Sequence, residues 1–143
     1  MKTVFKYTLL ALLLLTASGE ASAKRVKTQQ MYLFGFSASF KDSVVYITDI
    51  QEIQGAWMDN KTQFLLGRDS YSAQLKEHFD RQQQPNRVCA VYFNTSRKKL
   101  EKTYEKMKKK YVLKHPGMYD VRYLTATDFK FETVDMSPDE EQQ

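Results

Sequence analysis

Thr95, Ser96, Arg97, Lys98 and Lys99 stand together at the head of the most heavily charged stretch of the chain, NTSRKKLEKTYEKMKKK. If a helix starts here, the free N–H groups of its first turn, two hydroxyls and three cations would converge on one point, and the species they suit is an anion. Each cation in a first helical turn is opposed by the helix dipole, by roughly 0.3–1 kcal/mol before screening. No acidic residue follows at the third helical position to close a capping box. A local rule broken without a visible compensating group leans towards function. The expected ligand is an acidic group: a phosphate, a sulfate, or a carboxylate of a glycan or lipid. The competing reading is a solvated turn, its charge partly balanced by the acids Asp135, Asp139, Glu140 and Glu141 near the C-terminus.

The rest of the stretch sets that site in an ordinary frame. At about 100° per residue, Leu100, Tyr104, Met107 and Tyr111 fall on one side of a helix, a stripe expected to face a core. Lys98, Lys99, Lys102, Lys106, Lys109 and Lys110 crowd the opposite side, with Glu105 placed to pair with Lys109 one turn on. Residues 97–110 carry eight basic and two acidic side chains, a net of +6, whereas residues 24–143 together carry only +4. The basicity therefore belongs to one surface. Nucleic acid, the usual partner of a basic helix, is disfavoured here. Tyr104 and Tyr111 lie on the core stripe instead of among the lysines, and no nucleic-acid-reading motif is present.

Elsewhere the residues that do chemistry are sparse. His78 flanks the apolar stripe of an earlier helix, and His115 precedes Pro116-Gly117 in a turn. No paired histidines or cysteines have metal-ligand spacing, so neither a metal nor another cofactor is expected. No G-x-S-x-G or phosphate-cradling glycine loop occurs. Asp49 and Glu52 are three apart on a strand and so point to opposite faces, and Asp128 stands alone. Cys89, the single cysteine, lies inside VCAVYF and reads as a packed, inert thiol without a disulfide partner in the chain. Enzymatic activity is therefore expected less than binding or scaffolding.

The elements that position these residues follow from periodicity. YLFGFSASF alternates, with Tyr32, Phe34, Phe36, Ala38 and Phe40 on one face, and VVYITDIQEI alternates after the turn KDS, so the two read as an antiparallel hairpin. Gly55 and Asp59-Asn60 mark a further reversal after Trp57. Asp69 or Ser70 can cap a helix carrying Tyr71, Leu75 and Phe79 on one face, which Pro85 ends. RVCAVYF is apolar on both faces, as expected of a central strand. The basic helix follows, then the loop KHPGMYD, and YDVRYLTATDFKFE supplies one strand or two broken near Thr127-Asp128. The order β-β-α-β-α-β predicts one compact α+β domain, mostly antiparallel sheet with two helices.

At the N-terminus, Lys2 and Lys6, a short apolar run and Ala21-Ser22-Ala23 have the three parts of a cleavable export signal. The run is too short for a stable span, which needs roughly 20 residues. The expected organisation is a signal at 1–23, a flexible basic segment at 24–30, a globular domain at 31–132 and an acidic disordered tail at 133–143, in an exported protein, periplasmic or secreted. Cleavage leaves about 120 residues, enough for one core.

Two resemblances follow from these segments. The order YLFGF, VVYIT, then the helix YSAQLKEHF faintly resembles GIY-YIG nucleases. That family has a glycine where this chain has Thr48 and an arginine early in the helix, for which Arg68 is the candidate; the resemblance implies a nuclease, or more broadly a small hydrolase, as the alternative to binding. More broadly, the signal, FKDSVVYITDIQEI, FLLGRDSYSAQL and the basic helix together resemble small exported proteins of Bacteroidetes. That resemblance implies an envelope location and brings no activity, ligand or site residue with it; the partner expected from the basic helix and the export signal is an acidic ligand or an envelope protein.

Overall fold

A computed structural model describes residues 24–138; the expected signal segment and the acids Asp139, Glu140 and Glu141 lie outside the described residues. Among the described residues two helices and seven strands form one α+β domain. In chain order the strands are β1 (Arg25–Lys27), β2 (Met31–Ala38), β3 (Val44–Thr48), β4 (Gln51–Ile53) and β5 (Trp57–Asp59), then helix α1 (Arg68–Arg81), β6 (Val88–Asn94), helix α2 (Arg97–Lys108) and β7 (Asp120–Leu124). A π-helical turn, Lys109–Leu113, extends α2.

β2 is the middle of the main sheet. β6 runs antiparallel beside it from Tyr32↔Asn94 to Ala38↔Val88. β3 and β4 both pair with β2, at opposite ends of it, and so share its other edge. β7 lies parallel to β3, from Val44↔Asp120 to Thr48↔Leu124. The expected hairpin forms, with Phe36 opposite Ile47. β6 is not the central strand that its apolar run implied; it pairs with β2 alone and is an edge. Apolarity on both faces reports coverage, not lateral position, and β6 is covered on both faces because α1 and α2 each pack on it.

The pleat of β2 sorts the core into two. Met31 and Leu33 join Tyr46 of β3, Val91 of β6 and the α1 stripe Tyr71, Leu75 and Phe79. Phe34 joins Val45, Ile47 and Leu100 on the other face, with Tyr32, Phe36, Ala38, Tyr104, Met107 and Tyr111 packed against them. The sheet is thus sandwiched between α1 and α2, and the apolar stripe of α2 points inward as its spacing predicted. Edge-to-face contact of Phe34 with Tyr104, ring centroids 5.2 Å apart, ties the helix to the strand. On the α1 face, a Cβ added to Gly35 would stand 2.7 Å from Leu75 Cδ2, so the glycine lets the helix approach the strand closely.

Three local expectations change. Residues 24–30 contain β1, which pairs with β5 from Arg25↔Asp59 to Lys27↔Trp57, because the extended backbone there finds a partner across the Gly55 turn. Neither Asp69 nor Ser70 caps α1; the N-cap is Gly67, at φ 78, a conformation that glycine adopts without a Cβ penalty. The segment after β7 is ordered through its start without being a strand. Phe129 and Phe131 are buried, and the Gln51 amide donates to Phe129 O at 2.8 Å and accepts from Phe131 N at 2.9 Å. Val134 N donates to the Tyr71 hydroxyl, and Met136 O accepts from Arg25, so residues 133–136 are docked through side chains, not free.

One charge is buried inside this frame. Arg87, with its side chain 4% exposed, opens into β6 after the turn at Pro85-Asn86. Its Nε donates to Ser37 Oγ at 2.9 Å, and its Nη2 donates to Val44 O at 2.6 Å and Ser37 O at 3.3 Å. The guanidinium lies 4.7 Å from the Tyr46 ring centroid and 5.3 Å from that of Phe79. Asp42 Oδ1 stands 3.6 Å from Nη1. Arg87→Lys is expected to lower stability by about 2 kcal/mol, because an ammonium cannot hold the same fork of acceptors or lie flat over the ring pair. Urea unfolding read by circular dichroism checks this; an unchanged midpoint would mean that the guanidinium geometry contributes nothing.

Candidate functional site

Asn94 ends β6 and turns the chain into α2. Its Oδ1 accepts from Ser96 N at 2.8 Å, and Ser96 Oγ then accepts from Lys99 N at 3.4 Å as the N-cap. Serine and asparagine in this order satisfy first-turn donors that would otherwise seek an outside partner. Arg97 Nε donates to Glu101 at 3.1 Å, and its guanidinium stands 5.8 Å from the Tyr32 ring centroid. The compensation that the sequence seemed to lack is therefore supplied one turn on, by Glu101. Of the five residues expected to converge on an anion, Ser96 and Arg97 are committed within the protein and Thr95 is half-buried. Lys98 and Lys99 are exposed and have no ion pair among the described residues. Asp135, one of the proposed balancing acids, faces Ser137 N and Lys27 instead.

The wider flank of α2 keeps its charge. Lys102, Lys106, Lys109 and Lys110 are exposed, and none is ion-paired among the described residues. Glu105 approaches Lys108 at 3.9 Å instead of the expected Lys109. Lys108 also stands over Tyr104 and Tyr123, at 5.5 and 5.8 Å from their ring centroids. Because Leu100 is buried and its three stripe partners lie against the sheet, the helix cannot rotate this flank inward without exposing its apolar side. The result is a rigid row of cations on a helix anchored in the core.

The clefts elsewhere hold self-satisfied groups. A cleft of about 400 Å³ runs beside His78, Arg81 and Asp128. Thr125 N–H and hydroxyl both donate to Asp128, at 2.9 and 3.0 Å, and hold its carboxyl below the ordinary range. Arg81 donates to Glu77 at 2.6 Å. A second cleft, of about 380 Å³, has Lys41, Arg87 and Arg122 in its wall. Arg122 is held by Asp120 through contacts of 3.1 and 2.8 Å, and that carboxylate pushes its pKa further up. Asp49 and Glu52 are exposed on separate parts of the strand line and form no pair. Among the described residues no three potential ligands are grouped to hold a metal ion.

The nuclease-like residues are not brought together. Tyr32 faces α2, while Tyr46 packs on Phe79 in the last turns of α1, 4.7 Å between ring centroids. Arg68 opens the same helix at its far end, 5.1 Å from the Phe93 ring centroid. The length of α1, about 1.5 Å per residue, separates Arg68 from Tyr46.

The sequence reading missed a second surface feature. Phe40, read as the fifth aromatic of a core face, lies past the end of β2 in the turn to β3 and is 97% exposed. The basic helix, read only as far as Tyr111, runs on through a π-helical turn that ends at Leu113, 68% exposed. The signal available was the run of apolar residues Val112, Leu113, Met118 and Tyr119 in a segment with no strand or helix partner to bury them.

Cys89 is half-buried beside Ser37, to which its Sγ donates at 3.5 Å, and burial pushes its thiol pKa up. A raised pKa means less thiolate at a given pH, so Cys89 in the folded protein is expected to react with a disulfide reagent at pH 8 about tenfold or more slower than in urea. Equal rates in the two states would show the thiol to be open. No family model matches this chain, and neither a curated protein nor a solved structure matches it.

Proposed function

We propose that this protein is an exported binding domain that recognises an acidic partner through the outer flank of α2. The observation that carries the reading is the combination of an anchored helix and uncompensated charge. Lys98, Lys99, Lys102, Lys106, Lys109 and Lys110 are exposed without ion pairs among the described residues, on a helix fixed by Leu100, Tyr104, Met107 and Tyr111. A fixed row of ammonium groups attracts phosphate, sulfate or carboxylate with little ordering cost. The site of choice shifts from the first turn to this row, since Ser96 and Arg97 are already engaged. Export is supported by the basic start, short apolar run and Ala21-Ser22-Ala23 of the sequence. No helix among the described residues is long and apolar enough to cross a membrane. Asp128, Glu77 and Arg81 in one cleft and Arg122 in another are held by neighbouring protein groups, which favours binding over a hydrolase or nuclease.

The test is a titration of the chain from Lys24, which contains every described element, with sulfated and carboxylated oligosaccharides and with glycerophosphate. Binding is expected to weaken with salt and to fall about tenfold or more in Lys98→Gln/Lys102→Gln/Lys106→Gln, whose fold should be unaltered because all three positions are exposed. Affinity unchanged by the triple substitution would overturn the proposal.

A further inference from the structure

Among the described residues eight large apolar residues are exposed, and six of them, Phe40, Val88, Val112, Leu113, Met118 and Tyr119, gather at one end of the sandwich. The sheet register places them there. Val88 pairs with Ala38 at the end of β2, two residues before Phe40. Asp120 pairs with Val44 at the start of β3, and its N–H donates to Ser43 O, so Met118 and Tyr119 enter beside the same turn. The end of α2 comes to the same place. Tyr111 packs on Phe36 and on Tyr119, with ring centroids 5.1 and 4.9 Å apart, and Val112 and Leu113 follow it. Phe40, at 97% exposure, is in water almost as fully as in an unfolded chain, and Leu113 and Met118 keep 68% and 60% of their surface in water.

Once the internal pairs are removed, lysines dominate the charges at this end, with Asp80 near Cys89 an exposed acid that has no ion pair among the described residues. Asp42 stands against Arg87, and Asp120 holds Arg122. Lys41, Lys109 and Lys114 have no ion pair among the described residues, and Lys110 lies over the Tyr111 ring. Apolar tips carried on several separate segments, ringed by lysines, do not form one groove shaped for a folded partner. They match a medium that is fluid, apolar inside and anionic at its surface. We infer that this end of the molecule seats on an anionic phospholipid surface, with Phe40, Leu113 and Met118 entering the headgroup–acyl boundary and Lys41, Lys109, Lys110 and Lys114 meeting lipid phosphates. Lysine stems let the ammonium groups reach the phosphates while the tips stay below them. The inference goes beyond the reading of α2 as a site for an acidic partner, and rests on it only for the lysines at the helix end.

Cosedimentation of the chain from Lys24 with vesicles of phosphatidylcholine, with and without phosphatidylglycerol, tests it, alongside glycerophosphate as the free headgroup. Binding is expected only to vesicles containing phosphatidylglycerol. Phe40→Ser/Leu113→Ser/Met118→Ser should lower it about tenfold or more while leaving the affinity for soluble oligosaccharides unchanged. Lys109→Gln/Lys110→Gln/Lys114→Gln should abolish the dependence on phosphatidylglycerol. All six positions are exposed, and an unaltered urea midpoint confirms the fold of each variant. Equal vesicle binding by the serine variant, or binding to soluble anions but not to vesicles, overturns the inference and leaves the proposed function standing. A dimer in solution that the serine variant breaks also overturns it, since the apolar tips would then cover one another. Binding to neither vesicles nor soluble anions removes both readings.

Discussion

The Arg87 guanidinium is the point at which the layers of this protein are joined. It immediately precedes β6 in sequence, yet its acceptors are Ser37 on β2 and Val44 on β3, and its neighbouring rings are Tyr46 of β3 and Phe79 of α1. A charge this deeply buried is tolerated only where its donors are met and its surroundings are polarisable. Two backbone carbonyls, a hydroxyl and two aromatic faces meet that requirement, and Asp42 approaches from the solvent side. The requirement runs in both directions. For Arg87 to be satisfied, the β2–β3 hairpin must be in register and α1 must end against Tyr46. A fold with β6 misplaced by one residue would turn Arg87 to the other face and leave the charge in an apolar core.

That constraint orients the rest. With β6 and β2 locked in register, the alternation of β2 sends Tyr32, Phe34 and Phe36 to one face and Leu33, Gly35 and Ser37 to the other. The aromatic face then receives α2, whose stripe is as apolar as the face it meets. The remaining side of α2 has nothing to pair with and keeps its lysines in water. The lysine row is in this sense a consequence of the core: the helix is anchored on one side, so its opposite side is held as an array of charge. The same closure brings the π-helical turn beside the hairpin turn and the start of β7, which gathers exposed apolar residues from segments far apart in the chain.

The first turn of α2 shows why composition overstates a site. Three consecutive cations look uncompensated in a linear reading. In three dimensions Ser96 caps the turn, Asn94 steadies the cap, and Arg97 leans onto Glu101 and Tyr32. What remains for an outside partner is the lysine row further along, where no acid is within reach of most members. Asp128 and Glu77, in the wall of one cleft, follow the same pattern, each already held by a neighbour.

The sequence by itself determined the elements and their buried sides. Period two in β2 and β3, the i, i+4 spacing of Tyr71, Leu75 and Phe79, and the stripe from Leu100 to Tyr111 each record which side of an element faces its neighbours, and that is a local property. It also determined that the basicity belongs to one helix. Tertiary structure alone decided the lateral order of the strands, because an apolar run such as VCAVYF is equally compatible with an edge covered by two helices and with a central strand. It decided the fate of Arg87, since a single arginine beside an apolar run carries no mark of whether acceptors will meet it. It decided that residues 25–27 pair with 57–59 and that Gln51 holds the chain at Phe129 and Phe131, contacts between segments up to 80 residues apart. And it decided that Phe40 and Leu113 lie out in water at the same end of the molecule, because exposure is set by what packs over a residue, and periodicity says nothing about where a neighbour stops.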